Sequence, residues 1–245
     1  MKKGDLAALA FAILFPTVSA WAYFMAFAKE SPAPAATESN PRVQAAYGLG
    51  KAVQFGFPLL WVWGIERRRV WPGKPSGRGL ALGIGFGLAV SFAGLALYAF
   101  VFRDRPLFRG ASEAITEKTA SFGADTPARF LAFTAFLVVI HSLLEEYYWR
   151  WFVYGKLRDH MPTWGANLLS SVAFMAYHVV LLFPFFSGKF LMVVMPLSLC
   201  IAIGGAVWAW LYERTGSIYA PWLSHLIIDT AIFAVGFDLI FVKKI

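Results

Sequence analysis

The chain reads as an all-α protein, a polytopic transmembrane bundle of about seven spanning helices, and three observations predict it. Hydrophobic residues make up 59% of the 245 and charged residues only 15%, far to the apolar side of a soluble globular domain. Apolar runs of about 20 residues, the length that crosses a hydrocarbon core, recur along the sequence. The 22 Lys and Arg, against 14 Asp and Glu, collect at the ends of those runs, where they read as membrane-surface charges rather than a nucleic-acid footprint. Cys200 is the only cysteine and lies within an apolar run, which excludes an intramolecular disulfide.

The first span is expected from about Leu6 to Phe27, after Lys2 and Lys3. Val18-Ser19-Ala20 resembles a signal-peptidase site, but apolar character continues through Trp21 to Phe27, so an uncleaved helix is expected. Pro32, Pro34 and Pro41 mark residues 29 to 44 as a polar loop. The second span covers about Ala45 to Ile65 and ends at Glu66-Arg67-Arg68-Arg69; Lys51 inside it is expected to snorkel to the nearer interface. The third, Leu80 to Val101, continues a small-residue stripe of Gly79, Gly83, Gly87 and Ser91 at four-residue spacing, which suits close helix packing. Residues 102 to 128 are the longest polar segment and fit either an interfacial helix or a substrate-facing loop.

The fourth span begins near Arg129 and outlasts Arg150, and the fifth follows Pro162, from about Trp164 to Phe186. Ser187-Gly188-Lys189 leads to the sixth, Phe190 to Tyr212, which Pro196 is expected to kink. The seventh starts near Pro221, a favoured first helical position, and runs to about Val242. Trp21, Trp61, Trp63, Trp149, Trp151, Trp164, Trp208, Trp210 and Trp222 sit near expected helix ends, as an aromatic belt would. Residues 1–128 thus hold three helices and the long loop, and 129–245 hold helices four to seven, the two parts forming one membrane domain. With seven spans, the end of the fourth and the starts of the fifth and seventh share a membrane side. The Arg67–Arg69 cluster favours a cytoplasmic N-terminus.

The chemistry concentrates in His141-Ser-Leu-Leu-Glu-Glu-Tyr-Tyr-Trp-Arg150. An ionisable side chain at the centre of a bilayer costs roughly 3 kcal/mol on insertion scales, so it calls for partners. Residues four apart share a helical face, so His141 can approach Glu145, Glu146 can pair with Arg150, and His225 can contact Asp229. The adjacent carboxylates point about 100° apart, so one faces a cavity while the other is held by the arginine. His178 lies four residues after Phe174 in the fifth span. A carboxylate and an imidazole meeting across helices can activate a water, with His225 available as donor to a developing oxyanion. A serine or cysteine nucleophile fits less well, since there is no Gly-x-Ser-x-Gly elbow and Cys200 has no histidine neighbour in sequence.

Glu145-Glu146-x-x-x-Arg150, Phe174-x-x-x-His178 and His225-x-x-x-Asp229, with the lead-in Thr215-Gly-Ser-Ile-Tyr-Ala-Pro-Trp-Leu-Ser, resemble the CAAX protease and bacteriocin-processing (CPBP, or Abi) family, which includes the Rce1-type prenyl-protein endopeptidases. The resemblance covers about residues 130 to 235. It implies a glutamic-type intramembrane endopeptidase with a conical cavity open to the cytosol and to lipid. Glu145 would be the water-activating base, His178 its partner, and His225 with Asp229 an oxyanion-stabilising pair; Glu146 and Arg150 would shape the site, with 129–245 as the catalytic part. Many members carry Asn where this chain has Asp229. An ionised Asp cannot donate to an oxyanion, so Asp229 either keeps a proton or orients His225.

The expected partners are a membrane-anchored or lipidated protein or peptide substrate and the lipid bilayer, with no nucleic acid. The expected location is a cell inner membrane, with the site facing the cytoplasm and no cofactor. Two alternatives stay open. Glu, two His and Asp could hold zinc, although there is no His-Glu-x-x-His helix. A non-catalytic membrane partner or small transporter could use the charges for binding or proton coupling, although the inverted repeats with broken helices that would mark a transporter are not apparent.

Overall fold

The computed structural model describes residues 3–23, 41–67, 73–105, 111–186 and 188–243, and all regular structure among them is helical. The helices are α1 (Lys3–Trp21), α2 (Pro41–Leu59, continued by a wider π-type turn over Leu60–Ile65), α3 (Gly77–Phe102), α4 (Ala111–Ser121), α5 (Pro127–Arg158), α6 (Thr163–Phe186), α7 (Phe190–Thr215) and α8 (Tyr219–Val242). Among the described residues six of these are long and apolar enough to cross a membrane: α1, α3, α5, α6, α7 and α8. Helix α2 is long as well but carries Lys51 and Gln54 in its middle, so the count of seven is approximate. The polar loop expected before Pro41, the end of the first span, and Arg68 and Arg69 lie outside the described residues.

Helix α5 is the central post. Seven consecutive residues, Tyr148 to Tyr154, are all buried, which a helix shows only when neighbours surround it. Trp149 meets Phe174 of α6 at 5.5 Å, Phe152 meets Phe57 of α2 at 5.7 Å, and Tyr154 meets Tyr212 of α7 at 6.1 Å, all edge to face. The contact to α1 follows from Pro16, which has no N–H to give the carbonyl of Ala12 four residues earlier. Tyr148 donates its hydroxyl to that carbonyl at 2.8 Å, a backbone acceptor satisfied across helices where no water is at hand.

The glycine stripe of α3 packs against α8. A Cβ on Gly83 would stand 2.1 Å from the carbonyl oxygen of Ala220, one on Gly87 would stand 3.0 Å from that of Ser224, and one on Gly79 would stand 2.7 Å from Thr215 Cγ2. Ser91 extends the line by donating to the carbonyl of Ile227 at 3.1 Å. Without a hydrophobic drive between helices in lipid, such close approach supplies the dispersion contact that holds them. The stripe therefore fixes the depth and rotation of the helix that bears His225.

Ion pairs knit the two ends. Asp5 and His160 (3.8 Å), Lys156 and Glu66, and Arg158 and Glu213 join the start of α1 and the ends of α2, α5 and α7 on one side. Arg103 grips Asp238 with two hydrogen bonds of 2.9 Å on the other, beside Lys243 and Asp104 at 3.0 Å. The polar segment after α3 carries a helix, α4: Ser112 donates to the carbonyl of Leu239 at 3.0 Å, and Ala111 packs with Phe186, Val193 and Val194 at that end of the bundle. Pro196 falls where the π-type turn over Phe190–Val194 gives way to regular α-helix, so the irregularity precedes it. Trp149, Trp151 and Trp208 are in the core, so the aromatic-belt expectation fails for them, while Trp21 and Trp164 are exposed.

Gly83→Ala should lower the thermal unfolding midpoint of the detergent-solubilised protein, by an amount equivalent to about 1–3 kcal/mol of overpacking, because the clash is with backbone. Gly85→Ala, with nothing within 4 Å of the added carbon, is the control and should leave the midpoint unchanged or raised.

Candidate active site

Glu145 and Glu146 sit on a regular helical turn, Ser142–Glu146, flanked by π-type turns over Leu137–His141 and Tyr147–Tyr154. Such wider turns interrupt α-helices most often at functional sites. Both carboxylates are buried, at 4% and 0% exposure, so neither is solvated and each needs protein partners.

Glu146 is the firmly held one. Arg150 Nε lies 3.2 Å from its Oε2, near enough for an ion pair though not aligned as a hydrogen bond, and His225 Nδ1 donates to its Oε1 at 2.8 Å. Arg150 is itself buried: its guanidinium lies 4.7 Å from the ring centre of Phe174 and 5.0 Å from that of Trp208, and Nη2 reaches the carbonyl of Gly205 at 3.4 Å. Glycine at 205 keeps that space open, since a Cβ there would stand 3.4 Å from both Arg150 Nη2 and Phe174 Cδ1.

Glu145 is held loosely. Its Oε1 is 3.4 Å from His141 Nε2 and its Oε2 is 3.7 Å from His225 Nε2. His225 Nε2 also lies 3.4 Å from Asp229 Oδ2. A neutral imidazole that donates from Nδ1 has only a lone pair at Nε2, and that lone pair would face two carboxylates. A further proton, on Nε2 or on one of those carboxylates, would relieve that contact. Trp208 stacks on the His225 ring at 4.2 Å with 17° between planes, and its Nε1–H donates to Ser224 at 2.9 Å, so the ring rests against an indole that is itself held in place.

His178 donates Nδ1–H to the carbonyl of Phe174 at 2.8 Å, which leaves Nε2 available; the Phe174 ring meets it at 4.4 Å. His178 is within electrostatic reach of Glu145 but in no ion-pair contact with a carboxylate among the described residues. The three motif helices thus meet although His225 is only six residues into α8 while His178 is fifteen into α6. The reconciliation lies in where α8 begins. Ser217, Ile218 and Ala220 are already buried, because Gly216, at φ +64°, turns the chain back inside the protein.

All eight residues singled out in the sequence, His141, Glu145, Glu146, Arg150, Phe174, His178, His225 and Asp229, fall in this cluster. Trp208 and Gly205 were not singled out, because an aromatic and a glycine in an apolar run carry no chemical signature by themselves. Lys51 does not snorkel: its ammonium lies 3.3 Å from Tyr177 Oη and 3.3 Å from Gln54 Oε1, beside the site. The signal was present, since two polar residues three apart inside an apolar helix call for a partner. As for zinc, no group of three or more His, Cys, Asp and Glu side chains among the described residues is arranged to hold a metal ion. His225 turns each ring nitrogen to a carboxylate, so the donors face one another rather than a common centre.

Residues 127–231 match the family described as Type II CAAX prenyl endopeptidase Rce1-like. That stretch carries every residue of the three motifs, in agreement with the resemblance to the CAAX protease family. The match supports a protease, and with the six apolar helices it supports an integral, multi-pass membrane protein. No curated protein and no solved structure matches the chain.

Arg150→Met leaves Glu146 buried beside a single histidine and should destabilise the purified protein by about 3–5 kcal/mol, read as loss of midpoint in thermal unfolding. Combining it with Glu146→Leu removes the orphaned charge and should recover much of that loss. A double variant no more stable than the single one would mean that the pair is not the buried unit described.

Proposed function

We propose that this chain is a glutamic-type intramembrane endopeptidase that hydrolyses a peptide bond in a membrane-anchored or lipidated protein or peptide, without a metal. The observation that carries the reading is the inequality of the two carboxylates: Glu146 is fixed by Arg150 and His225, while Glu145 keeps only the longer contacts of 3.4 and 3.7 Å and can exchange them for a water. In the mechanism, a water donates one hydrogen bond to Glu145 and the other to the free Nε2 of His178, which turns an oxygen lone pair toward the scissile carbonyl. As the oxygen attacks carbon, its proton passes to Glu145. The carbonyl oxygen becomes an oxyanion and receives the proton-bearing Nε2–H of His225, which Asp229 orients. When the C–N bond breaks, Glu145 gives its proton to the leaving nitrogen, so the products are a carboxylic acid and an amine and the enzyme returns to its starting state.

The half-buried His141, His178 and Asp229 mark the side from which substrate and water would arrive, since Glu146 and Arg150 close the other. The match to a prenyl endopeptidase family favours a lipidated substrate near the membrane face. His141 lies a turn from Glu145 toward the start of α5, His178 lies toward the end of α6, and Asp229 lies a turn beyond His225 toward the end of α8, so the site would open to the membrane side opposite the end of α5 and the start of α8.

Glu145→Gln and His178→Ala should each lower cleavage by about 10²–10⁴-fold, the usual worth of a positioned base or its partner, while thermal unfolding and helical content stay near those of the parent. The readout is the proteome of membrane fractions from cells making the parent or the Glu145→Gln protein, where a new terminus should appear only with the parent. Full activity of purified Glu145→Gln protein would sink the mechanism, and loss of activity on chelation with recovery on adding zinc would replace it by metal chemistry. Asp229→Asn can still accept from His225 and should keep activity within about 10-fold, whereas Asp229→Leu should cost about 10²–10³-fold, the size of a lost oxyanion donor.

A further inference from the structure

Helix α2 brings to the site a group that the mechanism above does not use. Tyr47, Lys51, Gln54 and Phe55 recur at helical spacing on one face. Lys51 lies among three rings, with its ammonium 5.0 Å from the centre of Tyr177, 5.5 Å from Phe55 and 5.7 Å from Tyr47. Its polar contacts are both neutral, Tyr177 Oη and Gln54 Oε1, and it takes part in no ion pair among the described residues. An ammonium only donates, so the oxygen of the Gln54 amide must face it and the NH₂ must face elsewhere. That Gln54 Nε2 is buried, in a residue 1% exposed, and has no hydrogen-bond partner among the described residues. Tyr177 likewise accepts from Lys51 and keeps its own hydroxyl proton to give.

The result is three groups that still have protons to give, one of them positively charged, in the low-dielectric interior where an anion is bound far more strongly than in water. Their place relative to the chemistry is fixed by two ring contacts. Tyr177 precedes His178 in α6 and its ring meets that imidazole at 4.7 Å, and Phe55 meets the ring of His141 at 5.7 Å. Lys51 is thus one side chain away from each of the two histidines on the open side of Glu145, and within electrostatic reach of Glu145 itself.

We propose that Lys51, Gln54 and Tyr177 form a seat for a carboxylate of the peptide substrate, which sets the distance between that carboxylate and the bond cut. The ligand's identity as a peptide rests on the peptidase reading; the seat itself rests on the three donors. Its carboxylate comes either from the substrate's C-terminus or from an Asp or Glu side chain. Both present the same two oxygens to an ammonium and two neutral donors, so the seat selects for negative charge at a fixed spacing and leaves the remaining specificity to the apolar surroundings.

The test uses the full chain carrying Glu145→Gln, so that nothing is cut, in phosphatidylcholine nanodiscs. A palmitoylated fluorescent hexapeptide is made in three forms: neutral with a C-terminal amide, the same with a free C-terminal carboxylate, and the amide with one Asp. Binding is followed by fluorescence anisotropy. At least one acid should bind 10-fold or more tightly than the neutral amide, and whichever does identifies the source of the carboxylate. Lys51→Met should bring that ratio to about one, Lys51→Arg should keep part of it, and Gln54→Leu should reduce it. Equal binding of all three forms, no binding of any, or a preference that survives Lys51→Met overturns the seat. If Lys51→Met fails to fold, Lys51→Gln and Gln54→Leu decide in its place, and an unchanged ratio in both overturns the proposal. Cleavage of the same peptides by protein with Glu145 intact is scored separately. A carboxylate preference without any cleavage upholds the seat and counts against the peptidase, and cleavage without preference does the reverse.

Discussion

Everything about this site follows from the burial of Glu146. A carboxylate with no exposed surface inside an apolar bundle needs charge and hydrogen bonds supplied by the protein, and here Arg150 and His225 supply them. Arg150 in turn is buried and must be packed, which Phe174, Trp208 and the open space at Gly205 accomplish. His225 is drawn to Glu146 from a different helix, so the same hydrogen bond that satisfies the carboxylate also ties α8 to α5. The neighbouring Glu145 then lies beside His225 and His141 without being saturated by either. A carboxylate held by an ion pair and a hydrogen bond is what allows the adjacent one to stay loosely partnered, and a loosely partnered carboxylate is what a water needs.

The second constraint is depth. Helices bring their side chains to a site at 1.5 Å per residue, and His225 near the start of α8 is about 13 Å short of the depth of His178 if both helices begin at one plane. The chain removes that difference by starting α8 inside the protein, after the left-handed Gly216, and by pinning α8 against the glycines of α3. The stripe of small residues carries no chemistry of its own, yet it sets the register on which the 2.8 Å contact between His225 and Glu146 depends. A scaffold feature and a site feature are coupled here through backbone contact, with no side chain between them.

The sequence made much of this legible. Apolar runs located the helices, four-residue spacing paired Glu146 with Arg150, His141 with Glu145 and His225 with Asp229, and the glycine spacing marked a packed face. What it left out has a common physical character. Trp208 clamps the His225 ring through a stacking contact between α7 and α8, and its residue type is equally at home in an interfacial belt, where its position near a helix end had placed it. Lys51 is a long side chain whose direction in a bilayer is set by its neighbours, Tyr177 above all, and a linear reading has no access to them. The buried start of α8 was hidden for a related reason: apolar residues before a helix look the same whether they lie at the membrane surface or inside the protein. In each case the deciding partner comes from another helix.

His225 faces Glu146 with one nitrogen and both Glu145 and Asp229 with the other, so three carboxylates surround a single imidazole. Nearby positive charge comes from Arg150, committed to Glu146, from Lys51, and from whatever proton the imidazole and Asp229 share. A residue that could only donate or only accept at position 229 would fix where that proton sits. Asp229 can do either, according to whether it is ionised, and so lets the proton shift toward Nε2 as negative charge grows on a substrate oxygen. In the proposed mechanism that shift places the donor at the moment the oxyanion forms. Asp in place of Asn then changes how the donor is supplied without requiring a different reaction.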